Sequence, residues 1–378
     1  MKILLNFIPL KTGGGVQVAL DFISNISKFG ANHEWYLIVT EGTEFLKIDL
    51  PKNCELIHVV PNKLTERARF EFFTSKRLVS ELTPDVIYTQ FGPHWNTSVK
   101  NVVGCAYSNL FYPEIDFWNA LPFHKRFIKK SIDIYRKNKL RQADKVIFET
   151  EDLAVRSVEQ GFLDVTRVSY VLPAASSLVS LESNHPETLN KLIGMRSGFN
   201  FCLISGYHPN KNIELLIDAI PLLNLKLGHD NFNLLLTLPE DNPSVKSLFQ
   251  KAECYGVRKQ IHNIGPIPQQ GCCEVYKASD AAILPSILES FSNNIAEAWA
   301  MKVPLLISDM SWSRSLCNDS AHYFDCYDSN DVASKMYDVI LSDSLCESLV
   351  DNGRARIQDY PTSQQRFQQY LTIIEDAV

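Results

Sequence analysis

No stretch of this 378-residue chain runs for about eighteen apolar residues, so a membrane-spanning helix is excluded. The nine cysteines (Cys54, Cys105, Cys202, Cys254, Cys272, Cys273, Cys317, Cys326, Cys346) are odd in number, scattered and never spaced Cys-x-x-Cys. That pattern excludes a disulfide framework and a zinc site, and reads as buried thiols in a reducing, cytoplasmic compartment. Asp-x-Asp is absent, so a divalent cation bridging a diphosphate in that manner is not expected. There is no short-period repeat and no low-complexity tract. Nor is there a cationic excess: 37 Lys and Arg face 43 Asp and Glu, a net charge of −6 that gives no general reason to expect nucleic acid.

What is present is enough chain for two domains, each with its own core. Residues 1–10 are apolar but broken by Asn6 and Pro9, which reads as a first strand and not as a secretory leader. Strands over 2–7, 35–39, 56–60, 85–88, 102–106, 145–148 and 168–171 alternate with helices over 16–29 and 67–82. Strands separated by helices predict an α/β fold with a parallel, doubly wound sheet. Periodicity stops in a stretch rich in Ala, Ser, Asn and Pro and restarts at 201–205. The expected division is a first domain over 1–175, a linker over 176–198 and a second domain over 199–362. In the second half, strands at 201–205, 232–238, 261–264, 281–284 and 305–308 alternate with helices at 212–223, 245–254, 293–301, 331–341 and 344–356.

Glu289 and Glu297 stand where the apolar strand 281–284, stopped by Pro285, turns into the helix beginning at Asn293. Ser292 or Asn293 is the expected N-cap, so free backbone N–H groups and the positive end of the helix dipole point into the loop that carries Glu289. Such an end takes a diphosphate. A carboxylate is repelled by phosphate, so both glutamates are expected to accept hydrogen bonds from the flanking hydroxyls, ribose on one side and sugar on the other. The pattern reads as a clamp for a nucleotide-sugar.

Glu-x7-Glu followed by Ala298, Ala300, Val303 and Pro304 resembles the signature of retaining glycosyltransferases of family 4 (glycosyl transferases group 1), which have the GT-B fold of two Rossmann-like domains facing a central cleft. The resemblance implies that Glu297 binds the ribose and Glu289 lies beside the donor sugar, with Phe291, Ser292, Asn293 and Asn294 on the donor side. Gly206, Tyr207, His208 and Lys211 resemble the family's Gly-Arg-x-x-x-x-Lys segment, whose two cations neutralise the departing diphosphate. Lys211 fits the lysine, but Tyr207 or His208 stands near the arginine's place. Thr12 to Gly15 follow the first strand. As a dinucleotide fingerprint they fail, because Val18 replaces the third glycine, whereas Gly14 and Gly15, with Gln17, match a donor-facing loop of the family. Ile264 and Pro266 lie in a segment whose backbone contacts the base. Many members place a histidine near the donor sugar where this chain has Ser108 and Asn109, and His94 is the candidate substitute.

Helix 363–376 is expected to cross back to the first domain, as in GT-B proteins. Residues 124–141 hold eight Lys and Arg against one Asp, interleaved with Phe127, Ile128, Ile132, Ile134 and Leu140. A basic amphipathic helix suits peripheral docking on anionic headgroups at the inner face of the plasma membrane. The resemblance implies transfer, without cofactor or metal, from a nucleotide-sugar to a glycan or polyprenyl-diphosphate-linked oligosaccharide, with retention, in O-antigen or capsule synthesis. A nucleotide-sugar epimerase and a catalytically weak binding subunit on the same scaffold stay open.

Overall fold

The computed structural model describes residues 1–11, 13–118, 121–174, 179–195 and 197–378. The chain forms two compact units: unit 1 is Met1–Ala174 with Pro361–Val378, and unit 2 is Ala175–Tyr360.

Unit 1 is built on seven strands: β1 Lys2–Asn6, β2 Glu34–Thr40, β3 Cys54–Val60, β4 Val86–Thr89, β5 Lys100–Cys105, β6 Lys145–Phe148 and β7 Val168–Tyr170. Every pairing is parallel, in the order β3-β2-β1-β4-β5-β6-β7. Successive side chains of β1 enter opposite layers. Ile3, Leu5 and Phe7 pack with Phe22, Trp35 and Leu37, while Leu4 and Ile8 pack with Ile38, Phe70 and Trp95. Helix Gly14–Phe29 turns Val16, Ala19, Phe22, Ile23 and Ile26 inward at helical spacing.

The final helix, Ser363–Glu375, covers the same layer. Phe367 lies 4.7 Å from the Phe22 ring, and Arg366, only 5 % exposed, donates to Asp21 Oδ2 at 2.9 Å. The single helix expected over 67–82 is interrupted: Leu64–Arg69 passes through a π-turn, Phe70–Thr74, into Ser75–Leu82. Buried Phe70 stacks on His58 at 4.8 Å, while Phe72 and Phe73 are exposed.

Unit 2 holds β8 Phe199–Leu203, β9 Phe232–Leu236, β10 Ile261–Asn263, β11 Ala281–Leu284, β12 Leu305–Ser308 and β13 His322–Phe324, again all parallel, in the order β10-β9-β8-β11-β12-β13. Strand order reverses between β1 and β4 in unit 1 and between β8 and β11 in unit 2. In open α/β sheets ligands bind beyond the carboxyl ends of the strands at such a point.

The expected linker is no bare spacer. Residues 176–178 and 196 of it lie outside the described residues, but Pro186–Lys191 is helical, with proline at its start and the Thr188 N–H bonded to His185 Nδ1 at 3.2 Å. Val179 and Leu192 are buried, and the His185 N–H donates to Glu274 at 3.1 Å, so the segment packs as part of unit 2. All nine cysteines are free thiols, seven of them buried. Among the described residues no helix is long and apolar enough to cross a membrane.

Candidate functional site

The switch point of unit 2 gathers the residues on which the sequence argument rests. Two loops leave the carboxyl ends of β8 and β11 and are tied together by asparagines. Asn210 Nδ2 donates to the Leu288 carbonyl at 2.9 Å, and the Ile287 N–H returns a bond to the Asn210 carbonyl at 2.8 Å. Asn294 Nδ2 donates to the Ile204 carbonyl at 2.6 Å, fixing the start of helix Asn293–Ala300 against the end of β8. Backbone bonds of this kind hold both loops to the rigid sheet.

Within this frame Lys211 Nζ donates to Glu289 Oε1 at 2.6 Å, with side chains 20 % and 12 % exposed. The two residues expected to serve the chemistry are thus partners of one another. Asn212, next in sequence, adopts the left-handed region at φ 51° and bonds the Cys326 carbonyl through Nδ2 at 2.7 Å. This sharp turn delivers Lys211 to the loop before helix Ile213–Leu227 begins.

Glu297 is the fifth residue of helix Asn293–Ala300, about one turn in, and is 3 % exposed. The Tyr276 hydroxyl donates to Oε2 at 3.3 Å. Burial pushes the Glu297 carboxyl up to about 7, opposed by hydrogen bonds from Gln269 and Tyr276, because a charged carboxylate loses its water there. Ser292 occupies the N-cap position, but its hydroxyl bonds none of the helix N–H groups, and Asn293 is the first helical residue. The first-turn amides of that helix are therefore not occupied by a capping side chain. Phe291 packs beside Tyr360, with ring centroids 6.1 Å apart.

In the loop after β8 no cation replaces the arginine at Tyr207. Its hydroxyl donates to Glu214 at 2.5 Å, and its ionisation is pushed up to about 12 by burial and by that carboxylate. His208 is engaged through Nδ1 by Asn210. A Cβ on Gly206 would meet nothing within 4 Å, so the backbone there stands open. Ile264 continues the ladder by bonding the Leu236 carbonyl at 2.9 Å, Gly265 turns the chain at φ 73°, and the Pro266 carbonyl accepts from Lys191 Nζ at 3.1 Å.

Unit 1 distributes its candidates differently. Gly13 adopts φ 81°, Gly14 opens the first helix, and Thr12 lies outside the described residues. A Cβ on Gly15 would press on Leu10 and on the Phe91 ring at 3.1 and 3.3 Å, so close packing already demands glycine there. Gln17 turns to Glu44, at 3.2 Å.

His94, Asn109 and Ser108 have different surroundings. His94 lines a cavity with Thr83, Pro84, Val99 and Gln142, which precede β4, β5 and β6. It therefore sits at the amino edge of the sheet, while Gly13 to Gly15 follow the carboxyl end of β1, so the structure does not bring His94 together with the glycine turn. Its ring is held near 4 by burial and by Lys139. Asn109 spends its amide on Asp133, at 2.8 Å, anchoring helix Phe123–Gln142. Ser108 is buried at the start of the short turn Ser108–Leu110.

Sequence reasoning missed Tyr276 as a partner of Glu297 and Asn210 as the tie between loops. The Pro209 to Asn212 cluster was a signal for the second, since such residues fix turns by bonding backbone.

Residues 198–356 match the family model "Glycosyl transferases group 1". D-inositol 3-phosphate glycosyltransferase of Nocardia farcinica (strain IFM 10152) is 25% identical over 198 residues, covering 50% of this chain and 43% of the relative; the chain thus spans less than half of that relative's length in the match. Among solved structures, Anabaena Alr3699/HepE in complex with UDP and glucose aligns with a TM-score of 0.73 at 16% identity, covering 100% of both chains. WaaG, a glycosyltransferase involved in lipopolysaccharide biosynthesis, aligns at 0.73 and 17% identity over 99% of each. The fold is GT-B, with two Rossmann-like parallel-sheet domains of seven and six strands.

Proposed function

We propose, from the match of residues 198–356 to glycosyl transferases group 1, that the chain is a retaining glycosyltransferase of the family 4 type. It moves a sugar from a nucleotide-sugar to a glycan acceptor. One observation carries this reading: a desolvated carboxylate, Glu297, and the Glu289–Lys211 pair flank an uncapped helix N-terminus at the switch point of unit 2. The helix amides and Lys211 bind the diphosphate, Glu297 accepts from the ribose hydroxyls, and Glu289 accepts from a hydroxyl of the donor sugar.

In the reaction the acceptor oxygen bonds the anomeric carbon on the face from which the diphosphate leaves. The breaking C–O bond gives its electron pair to the diphosphate, whose oxygen takes the acceptor's proton. No metal takes part in this scheme. Lys211 and the amides meet the developing charge, so transfer should survive EDTA.

UDP in the HepE complex supports a nucleotide-sugar donor, and the role of WaaG supports a lipid-linked acceptor of bacterial surface polysaccharide, O-antigen or capsule, handled at the inner face of the plasma membrane. Helix Phe123–Gln142 fits that setting, with Phe123, Phe127, Ile128 and Ile134 exposed among its lysines and arginines. The Tyr207–Glu214 bond, where the family has an arginine, favours one other reading, a weakly catalytic binding subunit.

A thermal-shift panel of UDP, GDP, dTDP and ADP and their sugars, run on wild type and Glu297→Ala, separates these. Stabilisation by one nucleotide family, lost in the variant, together with transfer or slow hydrolysis of the sugar, supports the transferase. Binding without turnover supports the subunit, formation of an epimer supports an epimerase, and no shift with any nucleotide removes the donor site.

A further inference from the structure

Two cavities open along the amino edge of the unit 1 sheet, the edge opposite the glycine turn. One, of about 820 Å³, is bounded by residues just ahead of β4 and β5; the other, of about 490 Å³, by residues just ahead of β5, β6 and β7. They meet at Gln142. Five cations, Lys76, Lys100, Arg141, Lys145 and Arg167, line them against Asp144 and Asp376, in a chain whose net charge is −6. Lys100 already pairs with Asp144 at 3.1 Å, whereas Lys145 and Arg167 donate only to backbone carbonyls and form no ion pair among the described residues. Lys76 is exposed and bonds nothing among the described residues.

We propose that this edge is a second binding site, for an anionic oligosaccharide bearing carboxylate or phosphate groups, separate from the donor site of unit 2. The first cavity is lined by hydroxyl and amide side chains, Ser80, Thr83, Asn96, Thr97, Ser98 and Gln142, with no carboxylate. Each both donates and accepts, as sugar hydroxyls do. The volume suits a small part of a glycan chain. His94, which lines this cavity, has its Nδ1 buried without a partner among the described residues, where polar groups ordinarily have one.

The same lining argues against the other polyanions. Among the described residues the part-buried His94 imidazole is the only aromatic ring lining either cavity, so single-stranded nucleic acid finds no row of rings on which successive bases could stack. A bilayer surface cannot follow a concave edge.

The test is calorimetric titration of the full chain with a short oligogalacturonate, its methyl ester, single-stranded DNA and phosphatidylglycerol vesicles. It is run on wild type, Lys76→Glu and Ser98→Trp. Both substituted positions are exposed, so the melting temperature should hold and the variants report binding alone. The expected result is salt-sensitive binding of the oligogalacturonate, weakened at least tenfold by esterification and by each substitution. The inference is overturned by no binding of the oligogalacturonate, by binding indifferent to both substitutions, or by DNA or vesicles using Lys76 and Ser98 while the oligogalacturonate does not.

Discussion

Glu297 carries a proton-linked signature that can be read without any acceptor. Its carboxyl rises from 4.5 when exposed to about 7 in the fold, because burial disfavours the charged form. Between those values the folded state holds the proton that the unfolded chain has lost. Stability from this group is thus complete below about 4.5 and falls as pH rises through 7, by at most about 3 kcal/mol. Denaturant titrations from pH 5 to 8 should show that decline in wild type and a flatter profile in Glu297→Gln; an equal slope in both would assign it elsewhere. If Glu297 accepts from ribose hydroxyls as proposed, binding favours its charged form, so nucleotide affinity should climb over the same range, with proton release seen in buffers of different ionisation enthalpy. The Lys211–Glu289 pair makes a second prediction. On the proposed donor reading Glu289 competes with the diphosphate for Lys211, so Glu289→Gln should bind nucleoside diphosphate several-fold more tightly while transfer falls. Lys211→Met should lose affinity by tenfold or more, since it removes a charge-assisted bond. The two glutamates were legible in the sequence because their spacing falls on a strand-to-helix turn. Tyr276 was not, because it meets Glu297 across 21 residues and only folding brings the two together.

Elements were legible in proportion to their length and period. The helix Gly14–Phe29 and most strands follow from apolar spacing, including the three-residue β7 and β10, but β13, His322–Phe324, has only one fully buried residue and gives no apolar run to read. The helix Glu151–Glu159 escaped notice although Thr150 caps it, accepting from the Leu153 N–H at 3.3 Å. The π-turn Phe70–Thr74 is illegible for another reason: it shares the composition of its flanking helix, and buried Phe70 fixes it only through partners far away in sequence. Helix Phe123–Gln142 is the contrary case, a pattern plain in the sequence whose faces the structure sorts. Asp133, its one acidic residue, turns inward to Trp118 and Asn109, while Phe123, Phe127 and Ile134 share an outward row at 86, 67 and 63 % exposure. Burying such side chains in an interface contributes about 1.5–3 kcal/mol each at full depth. Co-sedimentation with phosphatidylglycerol vesicles should therefore fall at least tenfold in Phe123→Ser/Phe127→Ser, and binding to neutral vesicles should be weak throughout. Wild-type binding that ignores lipid charge would remove the anionic-membrane reading.

At the scale of the whole molecule, the chain completes unit 1 only with its last residues. Phe367, Tyr370, Leu371 and Ile374 belong to the same apolar cluster as Ile3, Phe22 and Trp35, and buried Arg366 is paired with Asp21. The capping box at Thr362 and Gln365 starts that helix where unit 2 has ended. From sequence, the place of this helix in the first unit came only from the family resemblance, because no local pattern names a partner 345 residues away. The energetic consequence falls on one unit. Phe367→Ala removes a ring 1 % exposed and packed among Phe22, Phe29 and Trp35, a loss of about 3–5 kcal/mol. Each unit has its own sheet and core, so scanning calorimetry should show the transition of unit 1 moving down in Phe367→Ala while that of unit 2, identified as the one nucleotide raises, stays in place. Asp21→Ala should act on the same transition, since it strands the buried guanidinium of Arg366. If both transitions drop together in either variant, the units unfold as one cooperative body, and the last helix then supports the donor site as well as the core it completes.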